Sequence, residues 1–354
     1  MARRLRRLAA RHPVTTLLVW SALSLLAVQQ SHRLTALGPA WNPPRTPWGD
    51  PDLQGIWGAG YVLTPLERPA KYGDRAFLTD EEIAAIERTT AATFGIGGGA
   101  YGGTGRGRPE RGTVDDVESA YNDVFSGFGR SVVRTKRTSL IVDPPDGRIP
   151  PRTTSGQKRL DALKATSTFP PPRAEGPEDR MAGERCFGLT LPIRYGSSDS
   201  SGGYSRIVQT PGSVSIYYEK GYGGGAYRVI SVDGRPHLSS AIRQWLGDSR
   251  GHWEGDTLVV DVTNFTSQTN YHGSSENLHL IERFTRVDSD TMIYRASIDD
   301  LTTFTKPWTF EVPLTKAPEK QNQIFESACH EGNYGMIGIL AGARAGEQKP
   351  RRRR

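Results

Sequence analysis

Two glutamates and two histidines in the C-terminal half of the chain are candidates for a general acid–base site. Glu282 and Glu326 each lie in a short apolar stretch in which, on a β-strand, alternate side chains share a face. Each glutamate then shares its face with apolar residues. His330 lies on the face of Glu326, whereas His279 lies on the face opposite to Glu282. Carboxylate and imidazole groups that converge in a barrel interior can act as acid and base. The pattern predicts a catalytic set of Glu282, Glu326, His330 and His279.

The same two glutamates have a structural interpretation. A carboxylate on an apolar face needs a partner, because burying an unpaired charge is costly. Arg283, Arg295 or backbone groups at a barrel rim could supply that partner. Under this alternative neither Glu282 nor Glu326 does chemistry.

Three histidines offer a weaker alternative, which is a metal site. His252, His272 and His279 fall within 28 residues, and Asp256 or Asp261 could complete the ligand set. Their spacing matches no standard zinc site, and the chain contains no HExxH motif. It also lacks the GxSxG turn of serine hydrolases. We therefore expect no metal and no other cofactor.

Aromatic residues are concentrated in the same half of the chain. Trp245, Tyr217, Tyr294 and Trp308 have the size and shape to line a pocket for an apolar or aromatic molecule. The alternative is that they are ordinary core residues. These four are the candidate ligand-binding residues.

Strands must position these residues, and the chain supplies them from about residue 205 onward. Eight short β-rich runs follow one another, each bounded by turn residues. The predicted strands cover 207–209, 214–218, 227–232, 257–263, 278–286, 291–298, 308–314 and 324–329. Even spacing without intervening helices is typical of an antiparallel meander that closes into a barrel. The predicted fold class is therefore mainly β, and a barrel of about eight strands has room for one small ligand.

The region before this barrel, residues 32–180, is irregular and rich in proline and glycine. We expect it to wrap a surface rather than to form a core of its own. One helix is predicted near 79–93, because Thr79 and Glu82 have the spacing of a capping box. The barrel domain is assigned to residues 181–346.

The first 31 residues have the form of an export signal. Five arginines precede an apolar stretch at 14–28, and a basic region followed by about 7 to 15 apolar residues is typical of a secretory signal. The stretch is shorter than the ~20 residues that span a bilayer. We predict a signal peptide over 1–31, with an uncleaved N-terminal anchor as the alternative, and a periplasmic or secreted protein.

The two cysteines fit an oxidising compartment. Cys186 and Cys329 are far apart in the chain and form no CxxC motif, which argues against a zinc or thioredoxin-type site. We predict that they form a disulfide that closes one long loop. The alternative is two unrelated buried thiols.

The net charge of +7 comes from the two ends of the chain. Residues 13–346 carry 35 basic and 37 acidic side chains, so the body is close to neutral. It lacks the positive field that nucleic-acid binding needs, and no nucleic-acid partner is expected. The basic tail at 347–354 is expected to be solvated, with contact to a membrane surface or an anionic polymer as the alternative.

Four stretches of sequence carry a resemblance to other proteins. They are SLIVDPPDGR at 139–148, QWLGDSRGHWEGDT at 244–257, SENLHLIERF at 275–284 and ACHEGNY at 328–334. They resemble an uncharacterised family of exported Gram-negative bacterial proteins, across nearly the whole mature chain. The succession of strands also resembles lipocalin-like barrels at the level of architecture. The first resemblance implies export and no known reaction, and an architecture does not identify a function.

Three functions remain open at this point. The first is an exported β-barrel protein that binds a small hydrophobic or aromatic molecule in its interior. The second is a cofactor-free lyase, isomerase or hydrolase that uses a glutamate–histidine pair in the barrel. The third is an envelope structural protein. The expected partner is a small molecule, and membrane contact is expected only through an uncleaved N-terminal anchor.

Overall fold

The computed structural model describes residues 41–58, 63–93, 132–166, 174–180, 185–186, 191–192, 204–219, 225–269, 271–317, 324, 329–330 and 334–347. The chain divides into two compact units, Met1–Asn42 and Pro43–Arg354. The helices and strands named below all lie in the second unit.

Among the described residues, ten strands form one sheet. In chain order they are β1 (Gly55–Gly58), β2 (Ile141–Asp143), β3 (Tyr204–Thr210), β4 (Ser213–Tyr218), β5 (Ala226–Ser231), β6 (Asp248–Glu254), β7 (Thr257–Thr263), β8 (His279–Arg286), β9 (Thr291–Asp299) and β10 (Trp308–Lys316). Neighbours follow the order β1, then β3 through β10, and β1 pairs again with β10. Nine strands therefore close into a barrel. β2 pairs with the first residues of β10, and β1 pairs with its last.

The strand pairs are antiparallel with one exception. β5 and β6 run parallel and share the register pair Ser231 with Arg250. Parallel neighbours need a crossover connection, because the chain must return to the end at which it started. Residues 232–247 make that return. The predicted fold class, a mainly β protein whose strands close into a barrel, is confirmed, but the one parallel pair interrupts the antiparallel meander that the sequence predicts.

Individual strands differ from the prediction in four places, of which the first is the short strand β2, in the region expected to be irregular. β6 was not predicted, because Arg250, Gly251 and His252 interrupt the apolar alternation of that stretch. β1 comes from the region expected to wrap the barrel, and it instead closes the ring. In the predicted last strand, at 324–329, the two end residues lie outside any strand, and residues 325–328 lie outside the described part of the chain.

Alternation along the strands separates an inner from an outer face. On β8, Leu280, Glu282 and Phe284 are buried, while the residues between them are half-buried. β9 and β10 repeat this pattern. The apolar side chains of the inner face form one core cluster that includes Trp57 of β1. Glu282 therefore lies among apolar residues inside the barrel.

The part of the chain that the structure describes contains three α-helices besides the barrel strands. The helix α1 (Asp80–Thr93) begins where the capping box predicts it: the Glu82 amide donates to Thr79 Oγ1 at 3.2 Å, and the Thr79 amide donates to Glu82 Oε2 at 2.9 Å. The helix α2 (Thr154–Thr166) contains the short helix that the sequence indicates at Leu160–Leu163 and is longer than expected, whereas α3 (Tyr334–Glu347) was not predicted. Four of the 14 residues in α3 are glycine, which has low helix propensity. Within the described part of the chain, no helix is long and apolar enough to cross a membrane.

The predicted disulfide is confirmed. Cys186 and Cys329 are joined, with their Cα atoms 5.5 Å apart. The bridge links a segment that precedes β3 to a segment that follows β10, over a sequence separation of 143. The segments that flank the run of strands from β3 to β10 are therefore held together covalently.

Candidate ligand-binding site

A buried ion pair crosses the interior of the barrel. Arg228 of β5 and Glu282 of β8 face each other with 2.5 Å between Nη2 and Oε2, and both side chains are almost completely buried. Two strands separate β5 from β8 in the sheet. The contact therefore spans the space inside the barrel and does not run along the sheet surface.

Three further side chains complete what we call the interior polar cluster. Tyr294 of β9 donates its hydroxyl hydrogen to Glu282 Oε1 at 3.0 Å. Arg228 donates from Nε to Ser249 Oγ at 2.9 Å and from Nη1 to the Tyr218 hydroxyl at 3.4 Å. The cluster thus joins strands β4, β5, β6, β8 and β9. Each buried charge has hydrogen-bonding partners, as a low-dielectric interior requires.

The electrostatics of the cluster favour a charged Arg228 and a neutral Tyr294. Burial acts to lower the pKa of Arg228. The electrostatic interactions with Glu282 and Tyr218, together with hydrogen bonds to both side chains, outweigh burial, so the pKa of Arg228 is raised. Burial, with the nearby charge of Glu282, raises the pKa of Tyr294 well above its usual value. Tyr294 is therefore a stable hydrogen-bond donor, and the pair Arg228–Glu282 is electrically balanced.

A row of aromatic rings runs along the inner face next to this cluster. The rings follow one another in the order Phe304, Trp308, Phe310, Tyr294 and Phe284. The distances between successive ring centroids are 5.8, 6.0, 6.1 and 5.1 Å. All five side chains are buried. These separations lie in the range of favourable aromatic contacts. We call this set the aromatic row.

Trp308 carries a polar atom that the described residues do not satisfy. Its Nε1 is buried and has no hydrogen-bond partner among them. The indole stacks on Tyr271 at 6.0 Å and meets His272 edge to face at 6.0 Å. A buried donor without a partner costs free energy comparable to a lost hydrogen bond. Trp308 therefore has a donor that no described residue uses, in an otherwise aromatic environment.

The four predicted ligand-binding residues do not all lie in one place. Tyr294 and Trp308 are in the interior, in the aromatic row. Tyr217 lies on the outer face of β4, where its ring is 4.6 Å from that of the exposed Tyr227. Trp245 is half-buried in the crossover that precedes β6. In place of Tyr217, its neighbour Tyr218 faces inward and joins the interior polar cluster.

The three predicted catalytic residues that the structure describes are also dispersed. Glu282 is in the interior, whereas His279 lies on the outer face of the same strand, as the alternation indicated. His330 is exposed beside the disulfide. Glu326 lies outside the described residues. The partners proposed for Glu282 in the structural alternative are used elsewhere: Arg283 binds Glu254 at 2.7 Å, and Arg295 hydrogen-bonds to Glu311 at 2.6 Å.

Sequence reasoning missed Arg228, the actual partner of Glu282, although a signal was present. The buried face of β5 contains Arg228 and Ile230, so an arginine shares a face with an apolar residue. That is the same signal that singled out Glu282. The sequence signal therefore indicates that both charges are buried, whereas their pairing depends on closure of the barrel.

His279 belongs to a chain of hydrogen bonds on the outer face, which we call the outer histidine chain. Asp261 of β7 contacts His279 Nε2 through Oδ2 at 3.0 Å and His237 Nε2 through Oδ1 at 3.0 Å. His237 Nδ1 lies 2.9 Å from Oδ2 of the buried Asp248 on β6. Both ring nitrogens of His237 thus face carboxylates. The chain fastens the crossover 232–247 to the outside of β6, β7 and β8.

The other histidines considered as metal ligands have separate partners. His252 bonds to Glu254 at 3.2 Å, Asp256 bonds to Arg45 at 2.5 Å, and His272 packs on Tyr271 and Trp308. Among the residues that the structure describes, no group of three or more histidine, cysteine, aspartate or glutamate side chains could hold a metal ion.

The fold and the cluster together define a closed β-barrel with a polar, charge-balanced centre and an aromatic inner wall. No family model matches the chain, and no curated protein matches it. Among solved structures, a mutant of the fluorescent protein UnaG is 10% identical over 39% of this chain and 86% of that chain, with a TM-score of 0.25. The REP1-NXSQ fatty acid transporter is 11% identical over 45% of this chain and 86% of that chain, with a TM-score of 0.24. At this level of similarity we take nothing about ligand or activity from either protein.

Proposed function

We propose that this protein is an exported β-barrel that binds a small, mostly apolar or aromatic molecule in its interior. The observation that carries this proposal is the aromatic row together with the unused Nε1 donor of Trp308. Small-molecule sites are lined mainly by apolar and aromatic side chains, with a few polar groups that fix the orientation. Both elements are present on one inner face.

The chemistry of the interior polar cluster favours a ligand with an uncharged polar group. A guanidinium group has five N–H donors, and Arg228 uses three of them toward the described residues. Donors therefore remain for a ligand oxygen. Glu282 already neutralises Arg228, so a ligand carboxylate would bring an uncompensated negative charge into a low-dielectric interior. An alcohol, ketone or ester fits better than an acid.

Export is the second part of the proposal. It is supported by the arginine-rich start followed by the apolar stretch at 14–28. The disulfide between Cys186 and Cys329 is typical of a protein that folds in an oxidising compartment. We place the mature protein in the periplasm or outside the cell.

Binding can be tested with the fluorescent probe N-phenyl-1-naphthylamine, which brightens in apolar sites. We expect Trp308→Leu to weaken probe binding by about tenfold, because an aromatic anchor is lost. Trp308→Phe keeps a ring and should restore most of the affinity for the probe. Tyr227→Leu is the matched control, because Tyr227 is exposed on the outer face, and it should leave binding unchanged. Equal binding in all four proteins would contradict an interior site.

The preference for an uncharged ligand can be tested by competition between the probe and ligands of different charge. We expect 1-decanol to displace the probe at lower concentration than decanoate, because only the acid adds a charge next to Glu282. In Glu282→Gln, which leaves Arg228 without its counter-ion, decanoate should become the better competitor. The same order of competitors in both proteins would contradict a ligand group at Arg228.

The alternative function is cofactor-free acid–base catalysis in the barrel. It would require Glu282 to act as a base, yet both of its oxygens already accept hydrogen bonds, from Tyr294 and Arg228. The arrangement therefore favours binding over catalysis. The third function, an envelope structural protein, predicts no saturable probe binding at all.

A further inference from the structure

The C-terminal helix α3 exposes apolar side chains to solvent. Tyr334 is 79% exposed and Ile337 is 69% exposed. Among its residues 334–346, none is buried. Most stable helices in globular proteins bury an apolar stripe against the rest of the fold. α3 therefore has apolar surface that the described part of the barrel does not cover.

The exposure of α3 is concentrated on one side. Met336, Ile339 and Leu340 are half-buried and lie together when the helix is viewed along its axis. The opposite side presents Tyr334 and Ile337 together with small residues. This side contains no acidic residue over residues 334–346.

Directly after the helix, the sequence becomes strongly basic. Lys349 and the four arginines at 351–354 follow within eight residues of the last helical residue, Glu347. Over 334–354 there are six basic residues and one acidic residue, a formal net charge of +5. An apolar helix face beside a basic cluster is the combination by which proteins bind anionic lipid surfaces.

We propose that α3 and the basic segment that follows it dock on an anionic lipid surface. The 14-residue helix is about 21 Å long and too short to span a bilayer, so it lies in the interface with Tyr334 and Ile337 among the acyl chains. A second copy of this chain is the poorer partner, because it brings the same positive charge and repels the first. This inference does not depend on what the barrel interior binds.

Vesicle co-sedimentation of the full chain tests the proposal. We expect binding to vesicles of phosphatidylcholine mixed with phosphatidylglycerol, and weaker binding to phosphatidylcholine alone or at high salt. Replacing the four arginines at 351–354 by glutamine should reduce the bound fraction on mixed vesicles by about tenfold or more. The N-terminal apolar stretch is the same in every protein, so differences report on the C-terminal segment.

A substitution at an apolar position of α3 distinguishes the contribution of the helix from that of the arginines. Ile337→Asp should reduce binding to mixed vesicles, whereas Leu301→Asp, at an exposed leucine elsewhere, should not. Equal binding by the wild type, Ile337→Asp and the glutamine variant would overturn the proposal.

A local probe reads the contact directly. In a chain with Tyr334→p-benzoylphenylalanine, illumination on mixed vesicles should attach lipid to the protein. Attachment to a second chain instead, with no lipid adduct, would overturn the proposal in favour of self-association. Loss of binding on adding nucleic acid, without a lipid adduct, would assign the basic segment to an anionic polymer and would equally overturn it.

Discussion

Arg228 and Glu282 form an ion pair with 2.5 Å between Nη2 and Oε2, and the pair bridges strands β5 and β8 through the interior of the barrel. The two residues are 54 positions apart in the chain and on strands that do not pair with each other. Their side chains are 2% and 0% exposed. Closure of the barrel has therefore removed both charges from water and left each as the principal counter-charge of the other.

Breaking this pair should cost much more than breaking a similar pair on the surface. We expect Arg228→Met or Glu282→Gln to lower the free energy of unfolding by about 3–5 kcal/mol, because one group loses its charged partner. The double variant Arg228→Met with Glu282→Leu should be less destabilised than the sum of the single variants. Urea unfolding of all three measures this.

The control for the buried pair is the exposed pair Arg45–Asp256, which has the same 2.5 Å separation. Arg45→Met should cost no more than about 1 kcal/mol, because exposed ion pairs contribute little. If Arg228→Met costs no more than Arg45→Met, the buried pair does not have the energetic role described here.

The outer histidine chain makes stability depend on pH in a defined direction. The hydrogen bond to Asp261 raises the pKa of His279 against the effect of burial, and the hydrogen bond from His279, again against burial, lowers the pKa of Asp261. The contribution of His279 is complete below about pH 6.5 and is lost as pH rises through its raised folded-state pKa. The contribution of Asp261 is complete above about pH 4 and is lost as pH falls through its lowered folded-state pKa.

Asp261→Asn should therefore destabilise the protein more near pH 5.5 than near pH 8.5, as measured by urea unfolding. Two other charged groups face the outer histidine chain. Arg250 lies 3.0 Å from Asp248, and the charge of Asp299 also raises the pKa of His279. The difference should be modest, because Asp261 is 40% exposed. Asp256→Asn, whose partner is an arginine, is the control and should show no such pH dependence. An equal loss for Asp261→Asn at both pH values would contradict a role for histidine charge.

The disulfide should contribute substantially to stability because of the long loop that it closes. We expect the variant with Cys186→Ala and Cys329→Ala to lose about 2–5 kcal/mol relative to the oxidised protein. Thiol titration of the unreduced, denatured protein should find no free thiol. Unfolding at the same denaturant concentration before and after reduction would contradict this prediction.

Two helical glycines should respond to alanine in opposite ways. A Cβ on Gly156 of α2 would lie 2.5 Å from the Thr303 carbonyl oxygen, whereas a Cβ on Gly338 of α3 would meet nothing within 4 Å. We expect Gly156→Ala to cost about 1–3 kcal/mol through overpacking. Gly338→Ala should stabilise by about 0.5–1 kcal/mol through helix propensity. Thermal unfolding measures both changes, and a stabilising Gly156→Ala would show that α2 does not pack on the Thr303 backbone as described.

Much of the fold was predictable because it depends on neighbours in the chain. The alternation of apolar residues around Glu282 decides which side chains share a strand face, whatever that strand pairs with. The capping box of Thr79 and Glu82 likewise acts within one turn, so the start of α1 followed from four residues.

What only the tertiary structure decided were the relationships between distant segments. The partner of Glu282 is Arg228 and not the nearby Arg283, because ring closure brings β5 across from β8 while Arg283 points to the outer face. His279 joins Asp261 and His237 because the parallel pairing of β5 and β6 forces a crossover over the outside of the barrel. The short strand β1 has too few residues to be recognised by periodicity, and it exists because β3 and β10 each need a partner for their backbone hydrogen bonds. Such contacts depend on the energy of the whole closed sheet, which no local window of the sequence contains.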